Sequence, residues 1–237
     1  LPVVFCMDRA GLAGADGPTH HGTLDIGYML TVPGMRVSAP RDGAEMLALL
    51  RLGLSLDDGP FSIRWPRAAV PEEVPPVSEI PDVALGSWEI VREGSDLAIL
   101  AVGTMVDSAL NAASSLAEEG ISVTVVNCRF LKPYDREILA GVLDHHQTVL
   151  TIEEGARSNG FGAFLSREIL DDPGLHFPSS FGTMGIPDRF VEHGSREVLL
   201  AEVGLDVDGI AGRVRRLCGL GDRQSLIGTD QDVRESA

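Results

Sequence analysis

Three short runs, residues 97–102, 122–127 and 148–152, are almost wholly apolar, and segments of helical periodicity at 106–119 and 135–144 separate them. A strand without a polar side must be covered on both faces. Apolar strands alternating with helix-length segments are the pattern of a parallel sheet enclosed by helices. A further helix is expected from about residue 161 to 170, so residues 85–218 are read as a self-contained α/β domain.

The first part repeats the alternation. A strand at residues 2–7 runs into a glycine-rich loop at 8–22, followed by a helix at about 23–30 and a second strand at 35–39. Pro40 and Asp42 prepare a helix start, and Met46, Leu47, Leu49, Leu50 and Leu54 give that helix an apolar face. Asp58-Gly59-Pro60 is a turn, and residues 61–65 form a third strand. Five prolines fall between Pro66 and Pro81. Proline stiffens the backbone and removes donors, which marks residues 66–84 as a linker. Residues 219–237 are polar and weakly patterned, and a disordered tail is expected there. The chain opens at Leu1 directly on an apolar strand, which reads as a piece of a longer protein.

With 237 residues and a hydrophobic fraction of 44%, the chain can fill sizeable cores. No apolar run approaches the ~18 residues needed to span a bilayer, and the amino terminus lacks a secretory pattern, so a cytoplasmic protein is expected. A formal charge of −16 argues against nucleic-acid and anionic-membrane partners, which need a basic footprint. Residues 1–70 carry six arginines against seven acids, so −15 of that charge lies further on and the early arginines are not swamped. Cys6, Cys128 and Cys218 lack the close spacing of a zinc site or a disulfide framework, and all three are read as buried thiols.

The loop holds the most chemistry. Four glycines and a proline permit unusual backbone, and Asp8, Arg9, Asp16 and His20 sit among them beyond the carboxyl end of a strand, where open parallel sheets place ligands. Arg64-Trp65-Pro66-Arg67 ends the third strand, which puts Arg67 on the same edge as Arg9. Two guanidinium groups converging there suit a phosphate. Strand alternation sends Arg64 to the other face or into the domain interface. A solvated turn-rich loop with surface ion pairs is the alternative.

Other motifs carry less. His145-His146 closes a helix, where interaction with the helix carboxyl end accounts for it. Glu153-Glu154-Gly155 and Asn159-Gly160-Phe161-Gly162 invite a dinucleotide reading, but Leu165 stands in place of the third glycine. No Walker A sequence, nucleophile elbow or metalloprotease motif is present.

Taken in order, Asp8-Arg9-Ala10-Gly11, the stretch from Gly14-Ala15-Asp16-Gly17 through Pro18-Thr19-His20-His21-Gly22, Ala39-Pro40-Arg41-Asp42, Asp58-Gly59-Pro60, Arg64-Trp65-Pro66-Arg67 and Arg129-Phe130-Leu131-Lys132-Pro133 resemble the corresponding blocks of the 1-deoxy-D-xylulose-5-phosphate synthase family. The resemblance implies a transketolase-like α/β fold, with residues 1–80 ending a pyrimidine-binding domain and residues 85–218 forming the carboxyl-terminal domain. It implies condensation of pyruvate with D-glyceraldehyde 3-phosphate, with loss of carbon dioxide, on the way to isoprenoids, thiamine and pyridoxal. On matching positions, Arg9 and Arg67 correspond to arginines that hold the acceptor's phosphate, and Asp16 and His20 to catalytic groups lining the pocket of the pyruvate-derived adduct. An imidazole suits proton exchange near neutral pH.

The family's cofactor is thiamine diphosphate with Mg2+, whose ligands lie ahead of the region matched here. This chain alone is therefore expected to bind neither and to be inactive without an amino-terminal region or companion chain. The complete enzyme is expected to be a homodimer. Alternatives are a non-catalytic dimerisation module and the β subunit of a 2-oxo-acid dehydrogenase, against which the loop from Arg9 to His20 counts.

Overall fold

The computed structural model describes residues 1–70 and 74–220, which build two sheets. Strand β1 (Val4–Met7), helix α1 (Asp25–Thr31), strand β2 (Arg36–Ser38), helix α2 (Gly43–Ser55) and strand β3 (Phe61–Arg64) follow one another, with β1 and β2 both parallel to β3. Helix α2 begins where Asp42 accepts the backbone N–H of Glu45 at 2.8 Å, satisfying one of the donors left open at a helix start.

The second part runs β4 (Glu89–Arg92), β5 (Leu97–Ala101), α3 (Met105–Glu118), β6 (Val123–Asn127), β7 (Phe130–Lys132), α4 (Arg136–His145), β8 (Thr148–Ala156), α5 (Phe161–Asp171), β9 (Ser180–Ile186), α6 (Arg196–Glu202) and α7 (Val207–Leu217). Its sheet has the order β4-β6-β5-β8-β9 and is parallel except for the β4 edge. Strands β5 and β6, which the apolar runs predicted, are buried at every position.

Four features depart from expectation. Strand β4 is an antiparallel edge, only partly covered, so Glu89 and Arg92 interrupt any apolar run. Strand β8 continues past Ile152 through Glu153 and Glu154 to Ala156, because both carboxylates are buried and satisfied inside the protein. Strand β9 includes Gly182 and Gly185, which weaken its pattern, yet it pairs in parallel along β8. Strand β7 leaves its own half to pair antiparallel with β2, so the first sheet reads β1-β3-β2-β7.

That crossing strand joins the cores. Phe130 of β7 meets Phe61 of β3 edge-on, with ring centroids 6.3 Å apart. One apolar cluster unites Ile26, Leu49, Phe61 and Ile63 with Leu100, Phe130 and Phe161. A second cluster lies between the other face of the large sheet and helices α3, α6 and α7, and it takes in Leu12 from the glycine-rich loop.

The cysteines need correction. Cys128 is buried and burial pushes its thiol well up, but Cys6 is exposed because β1 is a sheet edge, and Cys218 is half-buried beyond α7. His145 and His146 at the end of α4 place Nδ1 at 2.7 Å from the carbonyl of Gly141 and 3.1 Å from that of Val142, the helix-end role expected of them. Residues 71–73 of the linker and the tail from 221 onward lie outside the described residues. No helix among the described residues is long and apolar enough to cross a membrane.

Candidate functional site

The glycine-rich loop leaves β1 and is held tightly at its base. The backbone N–H of Ala10 donates to Trp65 O at 2.9 Å, that of Gly11 to Gly22 O at 2.7 Å, and that of Gly22 to Arg9 O at 3.0 Å. Within this knot Arg9 has a φ of +55°, and among the described residues it is the one non-glycine in the left-handed region. A bulky residue held there costs of order 1 kcal/mol and persists where surrounding structure enforces it.

Three of the charged residues expected in the site come together. Asp16 ends a short 3-10 turn at Gly14–Asp16 and accepts Arg67 Nη1 at 2.7 Å and Arg9 Nε at 3.3 Å. Arg9 also donates to Asp8 at 2.6 Å. Partial loss of water raises the Asp16 carboxyl, but the hydrogen bonds and charges of Arg9 and Arg67 outweigh this and hold it below the usual carboxylate value. The cluster is open to solvent, with Arg67 55% and Arg9 42% exposed in their side chains. Two guanidinium forks sharing one carboxylate at a sheet edge make an anion-binding arrangement.

His20 stands apart from this cluster. It is exposed, its Nδ1 lies 3.0 Å from Thr19 Oγ1, and it forms no hydrogen bond or ion pair with Arg9, Asp16 or Arg67. The neighbouring His21 has a scaffolding part, accepting the backbone N–H of Ala13 at Nδ1 across 2.9 Å.

A buried layer beneath the loop went unread in the sequence. Arg64 takes the second of the two placements that strand alternation allows and enters the interface, where Nε and Nη2 grip Asp25 at 2.7 and 3.2 Å and Nη2 reaches the backbone carbonyl of Glu154 at 3.0 Å. Glu154 Oε1 accepts the backbone N–H of Leu12 at 2.7 Å, and its other oxygen pairs with Arg196 of α6. Gly11 has a φ of +73°, and a Cβ there would run into the Glu154 side chain. The available signal was the pair of acids closing an apolar strand.

Glu153 accepts the backbone N–H groups of Phe161 at 2.7 Å and Gly162 at 2.9 Å, capping α5. Burial pushes its carboxyl up to about 7, against the lowering effect of those two donors and of Arg64. The folded pKa exceeds the ordinary value of 4.5, so the stability associated with the neutral form is full below about pH 4.5 and lost as pH rises through about 7. Carboxyl 13C resonances followed by NMR should show Glu153 titrating near pH 7. A midpoint near 4.5 would refute this assignment.

Two family profiles match the sequence, the transketolase pyrimidine binding domain over residues 1–73 and the transketolase C-terminal domain over residues 86–210. The 1-deoxy-D-xylulose-5-phosphate synthase of Gloeobacter violaceus is 44% identical over 216 residues, covering 91% of this chain and 33% of that protein. That of Geobacillus thermodenitrificans is 43% identical over 217 residues, covering 92% and 34%. The chain thus spans about a third of the length of these relatives. Among solved structures, a split-gene transketolase described as an inactive beta4 tetramer matches with a TM-score of 0.79 and 29% identity, over 92% of this chain and 68% of that one. A transketolase mutant from Pichia stipitis matches with a TM-score of 0.73 over 92% and 30%, at 19% identity, a likeness of fold alone. The chain therefore belongs to the transketolase family, with its pyrimidine-binding and carboxyl-terminal domains both matched, and is similar within it to the 1-deoxy-D-xylulose-5-phosphate synthases.

Proposed function

We propose that this chain supplies the acceptor side of a 1-deoxy-D-xylulose-5-phosphate synthase, which joins pyruvate to D-glyceraldehyde 3-phosphate with loss of carbon dioxide. In this reading residues 1–80 end the pyrimidine-binding domain and residues 85–218 form the carboxyl-terminal domain. The observation that supports it most is the pairing of Arg9 and Arg67 on one carboxylate at the carboxyl edge of parallel strands. A phosphate offers each guanidinium group a pair of charged oxygens, as the Asp16 carboxylate does otherwise, so both arginines are oriented before the aldehyde arrives. Asp16 holds the two forks in place, and His20, on the same loop and open to solvent, is the proton-exchanging group facing the pyruvate-derived carbon.

Relatives of this kind work with thiamine diphosphate. Among the described residues no group of three or more His, Cys, Asp or Glu side chains is placed to hold a metal ion, so they do not fit a magnesium–diphosphate site and no step is drawn through it. We propose that activity requires further polypeptide and that the working assembly is at least a dimer. The split-gene transketolase beta4 tetramer, described as inactive, is the likeness that supports this.

The test combines this chain with a polypeptide carrying the remaining part of a relative and measures synthase kinetics. A charge-assisted hydrogen bond is worth ~1.5–3 kcal/mol, so Arg67→Ala should raise the KM for D-glyceraldehyde 3-phosphate by about 10- to 100-fold while leaving that for pyruvate nearly unchanged. Equal effects on both substrates, or none on the aldehyde, would reject the assignment.

A further inference from the structure

A second basic site lies beside β9, the edge strand of the large sheet. An open cavity of about 360 Å³ is lined by Arg157, Arg213 and Arg216, together with Thr183, Gly185 and Asp208. Among the described residues, four arginines have no carboxylate partner within ion-pair distance: Arg92, Arg157, Arg213 and Arg216. Three of those four line this cavity. In a chain of net charge −16, where acids outnumber bases, leaving three guanidiniums unpaired in one place is not the default arrangement.

The backbone makes room for them. Two residues with no side chain, Gly182 of β9 and Gly212 of α7, sit beside the guanidinium groups, with Arg213 Nη2 3.4 Å from where a Cβ of Gly182 would stand and Arg216 Nη1 3.6 Å from that of Gly212. Arg157 follows immediately after β8, beyond the carboxyl end of a parallel strand. Strand β9 is the sheet edge, so it leaves backbone groups unpaired on its outer side. Arg213 loses water and faces the like charges of Arg216 and Arg157, and its pKa is lowered in consequence. The acids nearby do not relieve this: Asp208 lines the cavity without an ion pair to any of the three, and Glu119 is bound to Arg215 at its Nε and Nη2.

We propose that this cavity is a binding site for a small polyanion, a metabolite carrying two phosphoryl groups, with Arg157, Arg213 and Arg216 as its ligands. The volume suits a small molecule, and three forks match the several oxygens of a diphosphate better than those of a single carboxylate. The site is separate from the Arg9–Asp16–Arg67 edge and does not depend on the function proposed for it.

Calorimetric titration of the full chain with inorganic pyrophosphate, at low ionic strength, tests it. A saturable site is expected that is weakened about 10-fold or more by Arg216→Ala and by Arg213→Gln and unchanged by Arg67→Ala, distinct from any binding at the Arg9–Arg67 edge, which Arg67→Ala alone removes. Arg216 is exposed and has no ion-pair partner among the described residues, so its replacement leaves the fold intact, which far-UV circular dichroism checks. Absence of saturable binding to the wild-type chain would overturn the proposal, as would binding lost in Arg67→Ala but kept in Arg216→Ala. Binding that vanishes when the chain is assembled with the remaining part of a relative would also overturn it, by showing that the arginines dock protein instead.

Discussion

Replacing Arg64 by methionine should lower the free energy of unfolding by ~3–5 kcal/mol, the cost of breaking a buried ion pair while leaving one partner behind. Arg64 and Asp25 are each only 5% exposed in their side chains. The guanidinium also carries the hydrogen bond to the Glu154 carbonyl and lowers the pKa of buried Glu153, so its loss strands a carboxylate, a carbonyl and a neighbouring acid together. Equilibrium unfolding in urea would measure the change, and a loss below about 1 kcal/mol would show that the pair is not structural. The double variant with Asp25→Leu should recover much of the loss, because removing both charges leaves an apolar contact without an unpaired ion.

The second large effect is expected at Gly11. Alanine there must adopt a left-handed conformation, costing ~1–2 kcal/mol. Its Cβ also collides with the Glu154 side chain, whose two oxygens hold Leu12 and Arg196. Moving that carboxylate gives up hydrogen bonds to a charged group, worth ~1.5–3 kcal/mol. The total, ~2.5–5 kcal/mol, should appear as a lowered Tm, and the amide of Leu12 should lose its protection from hydrogen exchange. A normal Tm with a protected Leu12 amide would mean that the loop can shift without disturbing Glu154.

These two positions mark where the sequence stops being readable. Strands β5, β6 and the start of β8 were legible because a strand covered on both faces has no choice but to be apolar. Arg9 and Arg67 were legible as neighbours because each follows the carboxyl end of a strand in the same sheet, whereas Asp16, read together with His20, joins them through a loop contact 51 residues apart in the chain. Glu154 was not, since its partner Leu12 is 142 residues away, and the one local signal, two acids closing an apolar strand, does not say what they hold. The loop itself reads as flexible from its glycines, yet Leu12 is fully buried in the core beneath α3 and α6. Strand β7 escaped for a related reason: three residues after a tight bend carry no signal of which sheet they will join.

That strand has a consequence for how the molecule comes apart. Because Phe130–Lys132 completes a sheet begun by Val4–Met7, neither half can lose its order without opening the other's hydrogen-bond ladder. The proline-rich connection is a seam in the covalent chain but not in the energy landscape, and the chain should melt in a single cooperative transition rather than two.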